Sequence, residues 1–218
     1  MDVRFRCPFT CLITGATMTG KTQFVLNLLK SGMLDTEIDD KIVCFSEHQP
    51  AYDEMKELGC RFIQGLVDPD ELNPHIPHLV IIDDLMDSRE DHRIEQFFTR
   101  TCHHRNTSCI YIVQNLFNQN KGYRTCSLNT QYLVMFRSPR DMTQIKTLES
   151  QMFPGKKNFL VDSFNDACSK PYHPLVIDLK PDTPQHLRVR GRVLDSESQD
   201  VYLPKDYKYS FYSNTESE

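Results

Sequence analysis

The sequence predicts an α/β fold in which helices cover both faces of a mostly parallel sheet, and three observations carry that expectation. Short, nearly all-apolar runs recur at residues 41–46, 78–84 and 109–114, the pattern of strands buried on both faces. Segments of helical character separate them, so successive strands run parallel through right-handed crossovers. The carboxyl ends of the buried strands read Thr14-Gly15, Asp83-Asp84 and Gln114-Asn115. All are polar, at the edge where ligands of such sheets sit.

Taken in order, residues 4–14 read as the first strand, alternating and then continuously apolar. Residues 21–30 form a helix stopped by Ser31-Gly32. Residues 41–46 are the second strand, 52–58 a helix ended by Gly59, and 61–64 a short strand. Residues 68–72 make a helical turn, within a proline-marked connection that ends at Pro77. The strand at 78–84 is followed by an acidic loop at 87–91 and a helix over 92–105. The strand at 109–114 precedes a polar loop over 115–124 that contains Gly122. Residues 131–137 are a strand, and a helix begins at Pro139 and runs to about residue 152. Residues 157–168 are helical, 174–179 a late strand, and 188–193 an edge strand. From about Ser196 the chain turns to Ser, Asp, Glu and Tyr, which predicts a loosely held tail over 196–218 behind one domain at 1–195.

Composition bounds the function. A chain of 218 residues can bury a substantial core. Its net charge of −5 gives no global attraction to nucleic acid, so any DNA contact comes from a local patch or from the lining of an assembly. Apolar stretches such as 79–82 are far too short for a membrane helix, and residues 1–6 do not resemble a secretory signal. The eight cysteines form no C-x-x-C pair and read as reduced thiols, which implies a reducing compartment, nucleus or cytoplasm.

The segment Gly15-Ala16-Thr17-Met18-Thr19-Gly20-Lys21-Thr22 fits G-x-x-x-x-G-K-[ST], between a strand and a helix, the context this motif needs. Its glycines let the backbone wrap a polyphosphate, and its N–H groups with the helix N-terminus face the anion. Lys21 can reach the β- and γ-phosphates of ATP, and the Thr22 hydroxyl can ligate Mg²⁺. Asp83, after four apolar residues, takes the Walker B position and holds the metal with Thr22. Asp84 is placed to orient or deprotonate the attacking water, one methylene short of the glutamate common there. Gln114 ends the next strand, where an amide that donates and accepts can face the γ-phosphate; Asn115 is its rival. The fold expected is a three-layer P-loop NTPase of the additional-strand type.

Arg100 and Arg105, near the end of a helix, are candidates for a finger that stabilises transition-state charge in a neighbouring subunit, with Arg137 and Arg140 as rivals. A basic residue favouring a helix C-terminus is the plain alternative. Cys102, His103 and His104 lack a second ligand pair at zinc spacing, and His75 and His78 sit in a proline-rich turn. Lys156-Lys157 and Arg188-Val189-Arg190-Gly191-Arg192 are the densest basic spots. The latter's alternation puts three arginines on one strand face, for phosphate contact or for a solvated sheet edge.

Several segments together resemble a family: residues 13–22, Ile82-Asp83-Asp84-Leu85-Met86, Phe98-Thr99-Arg100, and Tyr111-Ile112-Val113-Gln114-Asn115-Leu116-Phe117. Residues 124–129, Phe136-Arg137-Ser138-Pro139-Arg140-Asp141 and 175–181 extend the match. They resemble the genome-packaging ATPases of Polinton/Maverick elements and related adintoviruses, within the FtsK–HerA superfamily, over about residues 8–193. The resemblance implies a ring, hexameric in expectation, that pumps double-stranded DNA into a capsid, with capsid proteins as further partners and no membrane. It matches Gln114 to the polar sensor and an arginine near 100–105 or 137–140 to the trans-acting finger. Two other readings stay open. A nucleoside or small-metabolite kinase also needs a P-loop, with the region 138–141 as its lid, and Asp84 in place of glutamate fits a nucleotide-binding scaffold without turnover.

Overall fold

In a computed structural model of the chain, described over residues 2–85, 91–115, 121–138, 142–195 and 197–207, nine strands form one sheet. Strand β1 (Thr10–Thr14) leads to helix α1 (Lys21–Lys30), then β2 (Asp40–Phe45), α2 (Ala51–Glu57) and β3 (Cys60–Gln64). A 3₁₀ turn at Pro69–Glu71, its start capped by the Asp68 side chain, precedes β4 (His78–Asp83). The crossover to β5 (Thr107–Val113) is made of α3 (Asp91–Gln96), a π-turn (Phe97–Thr101) and α4 (Cys102–His104). There follow α5 (Lys121–Leu128), β6 (Tyr132–Met135), α6 (Met142–Met152) and α7 (Phe159–Ala167). The chain closes with β7 (Leu175–Asp178), β8 (Val189–Gly191) and β9 (Asp200–Val201).

The strand order is β3-β2-β4-β5-β1-β6-β7-β8-β9. Pairings from β3 to β6 are parallel, and β7, β8 and β9 add antiparallel strands at one side. Strand β5 stands between β1 and β4, which is the additional-strand arrangement. The register sets Thr14 opposite Val113 and Asp83 opposite Ile112, so the glycine loop, Asp83 and Gln114 leave the sheet at one edge.

Alternation splits each central strand between two cores, which is why these runs are apolar throughout. Leu12, Val80, Ile82, Cys109 and Tyr111 face the π-turn side, against Ile94, Phe97, Phe98, Tyr123, Ile145 and Phe164. Cys11, Ile13, Leu79, Ile81, Ile110 and Ile112 face α1 and α2, against Phe24, Val25, Leu28, Tyr52 and Met55. Each large apolar side chain fully buried this way contributes about 1.5–3 kcal/mol. No helix of the described residues is long and apolar enough to cross a membrane.

Several expectations are corrected. The first strand begins at Thr10, because Pro8 lacks the N–H a ladder needs; Phe5 makes only an isolated bridge to Leu34. The loop expected over 115–124 ends early, since its last residues Lys121–Arg124 start α5, which buries Tyr123 and Cys126. The strand at 188–193 is shorter and is not an edge, since β9 pairs with it. Within the segment expected as a tail, described residues are held to the domain: β9 pairs with β8, Tyr202 donates to Asp166 at 2.8 Å, and Lys156 pairs with Asp206. Met86, the loop at 87–90, Leu116, Phe117, Pro139, Arg140, Asp141 and residues 208–218 lie outside the described residues.

Candidate nucleotide-binding site

The loop from β1 to α1 turns at three residues of positive φ: Gly15 at 150°, Met18 at 64° and Gly20 at 94°. At the two glycines a side chain is excluded twice over. A Cβ on Gly15 would lie 2.6 Å from the Phe136 Cβ, and one on Gly20 would lie 2.8 Å from Cδ1 of Tyr172. The Thr19 hydroxyl donates to the Ala16 carbonyl at 2.7 Å and tightens the arc. Helix α1 starts at Lys21 with no side-chain cap on its N-terminus, so its first-turn N–H groups face the loop's concavity with the positive end of the helix dipole. The Lys21 ammonium donates to the carbonyls of Gly15 and Ala16, both at 2.8 Å. Burial lowers its pKa, and the charges of Asp83 and Asp84 resist that.

Asp83, the last residue of β4, is buried. Its Oδ2 accepts the Thr22 hydroxyl at 2.9 Å and the Tyr52 hydroxyl at 2.9 Å. Burial raises the pKa of this carboxyl, while the two hydroxyls and Lys21 lower it. Burial and the charge of Asp83 push the Tyr52 phenol far above its ordinary value, so it stays a donor. Asp84 follows the strand at φ 54°, exposed, its carbonyl accepting from Ser46 at 3.1 Å. Gln114 is exposed just past β5. A cleft of about 690 Å³ is lined by Thr17, Met18, Gly20, Lys21 and Thr22 from the loop and helix, by Asp83 and Asp84, and by Gln114. Gln23, Gln49, Pro50, Ala51, Ile112, Val113 and Tyr172 complete its wall. Asn115, the rival sensor, accepts from Gln144 of α6 at 2.7 Å.

The hydroxyl of Thr22 and the carboxylate of Asp83 are hard oxygen donors already in contact, a set suited to Mg²⁺. The uncapped helix N-terminus and Lys21 suit the polyphosphate to which such a metal is bound.

The basic residues separate. Arg100 is exposed on the π-turn. Arg105 donates to Asp70 at 2.6 Å and to the Leu72 carbonyl at 3.2 Å, tying the end of the crossover to the 3₁₀ turn. Neither lines the cleft of its own chain. Arg137 is exposed beside the loop, in a hollow it shares with Ala16, Met18 and Thr19. The arginines of 188–192 do not form a phosphate-contacting face. Arg188 donates to the carbonyls of Asp178, Lys180 and Thr183, Arg190 is buried against Asp178 and the Val3 carbonyl, and Arg192 pairs with Asp200. Strand β9 covers the side that would have been an edge.

Of the residues with metal-ligand chemistry, Cys102 is core, His104 is exposed, and the His103 side chain is outside the description. His78 is buried, its ring held by Asp40 at 3.0 Å and the Asn73 carbonyl at 2.8 Å. Tyr52 and Tyr172 carry no local signal in the sequence. Tyr52 reads only as the start of the helix over 52–58, and Tyr172 falls between the helix at 157–168 and the strand at 174–179.

Strand order, glycine loop and strand-end carboxylate define a P-loop NTPase fold of the additional-strand type. No family model matches the sequence, and no curated protein matches it. Among solved structures, the genome packaging NTPase B204 from Sulfolobus turreted icosahedral virus 2, in complex with ATP-gammaS, is similar over 94% of this chain and 99% of its own, with TM-score 0.44 and 12% identity. The KaiC-like protein PH0186 from the hyperthermophilic archaeon Pyrococcus horikoshii OT3 is similar over 90% of this chain and 91% of its own, with TM-score 0.46 and 12% identity.

Proposed function

We propose that this chain is an ATP-hydrolysing motor that translocates double-stranded DNA, acting as a ring in the packaging of a genome into a capsid. The observation that carries the hydrolase reading is the meeting of Thr22 and Asp83 at 2.9 Å beneath the glycine loop, with Asp84 and Gln114 on the same cleft. Bound Mg²⁺ would neutralise charge on the transferring phosphoryl group. The chain's own residues divide the remaining work. Lys21 exchanges the Gly15 and Ala16 carbonyls for phosphate oxygens, Asp83 and Thr22 hold the metal, Asp84 orients or deprotonates the attacking water, and Gln114 senses the γ-phosphate.

The motor reading rests on the sequence resemblance set out above, and the placement of two described arginines is compatible with it. Arg100 and Arg105 stand outside their own chain's cleft, as a residue serving the next subunit would. With Arg105 engaged by Asp70, Arg100 is the better candidate for that finger. The test is phosphate release from Mg²⁺·ATP with and without duplex DNA. Duplex should stimulate it, and Lys21→Ala and Asp84→Asn should abolish it. Full turnover in Lys21→Ala would overturn the assignment of the site, and phosphate transfer to a nucleoside with no effect of DNA would replace the motor with a kinase.

A further inference from the structure

We infer that Tyr172 and the hollow behind it form a nucleobase seat, the phenol ring stacking on the base of a nucleotide whose phosphates lie on the glycine loop. This rests on the phosphate-site reading above and adds the part of the ligand that the motif does not address.

Tyr172 lies on the connection between α7 and β7, 69% exposed and at φ 65°. A bulky residue in that backbone region is uncommon and is held there by its surroundings. His173 fixes the turn through its Nδ1, 2.9 Å from the Pro171 carbonyl. The ring lies over Gly20, close enough that a Cβ there would meet its Cδ1 at 2.8 Å. The second glycine of the motif therefore admits an aromatic ring as well as a turn.

Position gives the ring its use. Tyr172, Gly20 and Gln23 line both the phosphate cleft and a neighbouring hollow of about 360 Å³, so one ligand can occupy the two together. Asn27 and Pro174 border that hollow further from the loop. Gln23 and Asn27 are one turn apart on α1, and the Gln23 amide donates to Asn27 at 3.2 Å. These amides offer donors and acceptors to the edge of a planar heterocycle, while the ring offers its face. Stacking of a base on an aromatic side chain tolerates any base, because every base has a π-face. The ligand class is accordingly a nucleoside polyphosphate, with affinity for the base set mainly by the ring.

The test is calorimetric titration of the full chain with Mg²⁺·ATP and, separately, with Mg²⁺·tripolyphosphate. Wild type, Tyr172→Ala and Tyr172→Phe are compared. Tyr172→Ala should weaken ATP about tenfold or more while tripolyphosphate binds as to wild type. Tyr172→Phe should keep the wild-type affinity for both. Unchanged ATP affinity in Tyr172→Ala overturns the seat and leaves the phosphate site standing. Equal loss of both ligands also overturns it, since Tyr172 would then only support the loop. Wild-type protein that binds neither ligand overturns the phosphate-site reading and this inference with it.

Discussion

Tyr52 of α2 donates its hydroxyl to Oδ2 of Asp83 at 2.9 Å, the same oxygen that accepts the hydroxyl of Thr22. One buried carboxylate oxygen thus joins the glycine-loop helix, the second helix and strand β4. The other oxygen carries neither of these two bonds. Tyr52 also packs edge-on against Phe45, with ring centroids 5.5 Å apart, so its hydroxyl is aimed by packing.

Removing that donor should therefore be felt twice. Hydrogen bonds to charged groups are worth about 1.5–3 kcal/mol, and Tyr52→Phe should cost stability in that range by denaturant unfolding. It should also raise the Asp83 pKa further, because a bond that favours the charged form is lost. The acid limb of the ATPase pH profile should move to higher pH. An unmoved limb would show that Asp83 does not depend on Tyr52.

Asp83 itself should be a stability cost at neutral pH. Its folded pKa lies above the ordinary 3.8 because burial disfavours its charge. The sign follows: its contribution is full below the ordinary value and is lost as pH rises through the raised one. Asp83→Asn, which keeps an oxygen to accept from Thr22 and Tyr52, should melt higher than wild type at pH 7 without Mg²⁺, and should not hydrolyse ATP. A lower melting temperature would contradict the electrostatic account.

The loop glycines should not tolerate alanine. Gly15→Ala places a methyl 2.6 Å from the Phe136 Cβ at a backbone angle that side chains rarely adopt. The strain should cost about 1–3 kcal/mol and disrupt ATP binding. Binding at wild-type affinity would show that the loop can shift to admit the methyl.

Arg190 should matter for folding and not for DNA. It is buried, 3.8 Å from buried Asp178, and burial lowers its pKa while Asp178 raises it. Arg190→Met leaves Asp178 without its cation and should destabilise by about 3–5 kcal/mol. Duplex affinity per folded molecule should not change in an electrophoretic mobility shift.

What was legible in the sequence follows from where each signal lies. The glycine loop, Asp83 and Gln114 announce themselves because strand ends in a parallel sheet stand beside their own apolar runs. Helix α1 is legible for the same local reason, with Ser31-Gly32 to stop it. Tyr52 was not legible, because its meaning depends on Asp83, 31 residues later and on another strand. Arg190 misled because alternation assigns a face without saying what covers it, and β9 supplies the cover from a segment whose composition reads as a tail. Helix α5 was hidden by Gly122 and a polar approach, although Tyr123 and Cys126 share one face of it.

The central claim is tested most directly by mass photometry and phosphate release on the same samples, across protein concentration, with Mg²⁺·ATP and with or without duplex DNA. A chain whose arginine serves the next subunit should assemble into rings with ATP and DNA, and its rate per chain should rise with assembly. A chain that stays monomeric and releases phosphate at a rate indifferent to both DNA and concentration would contradict the motor.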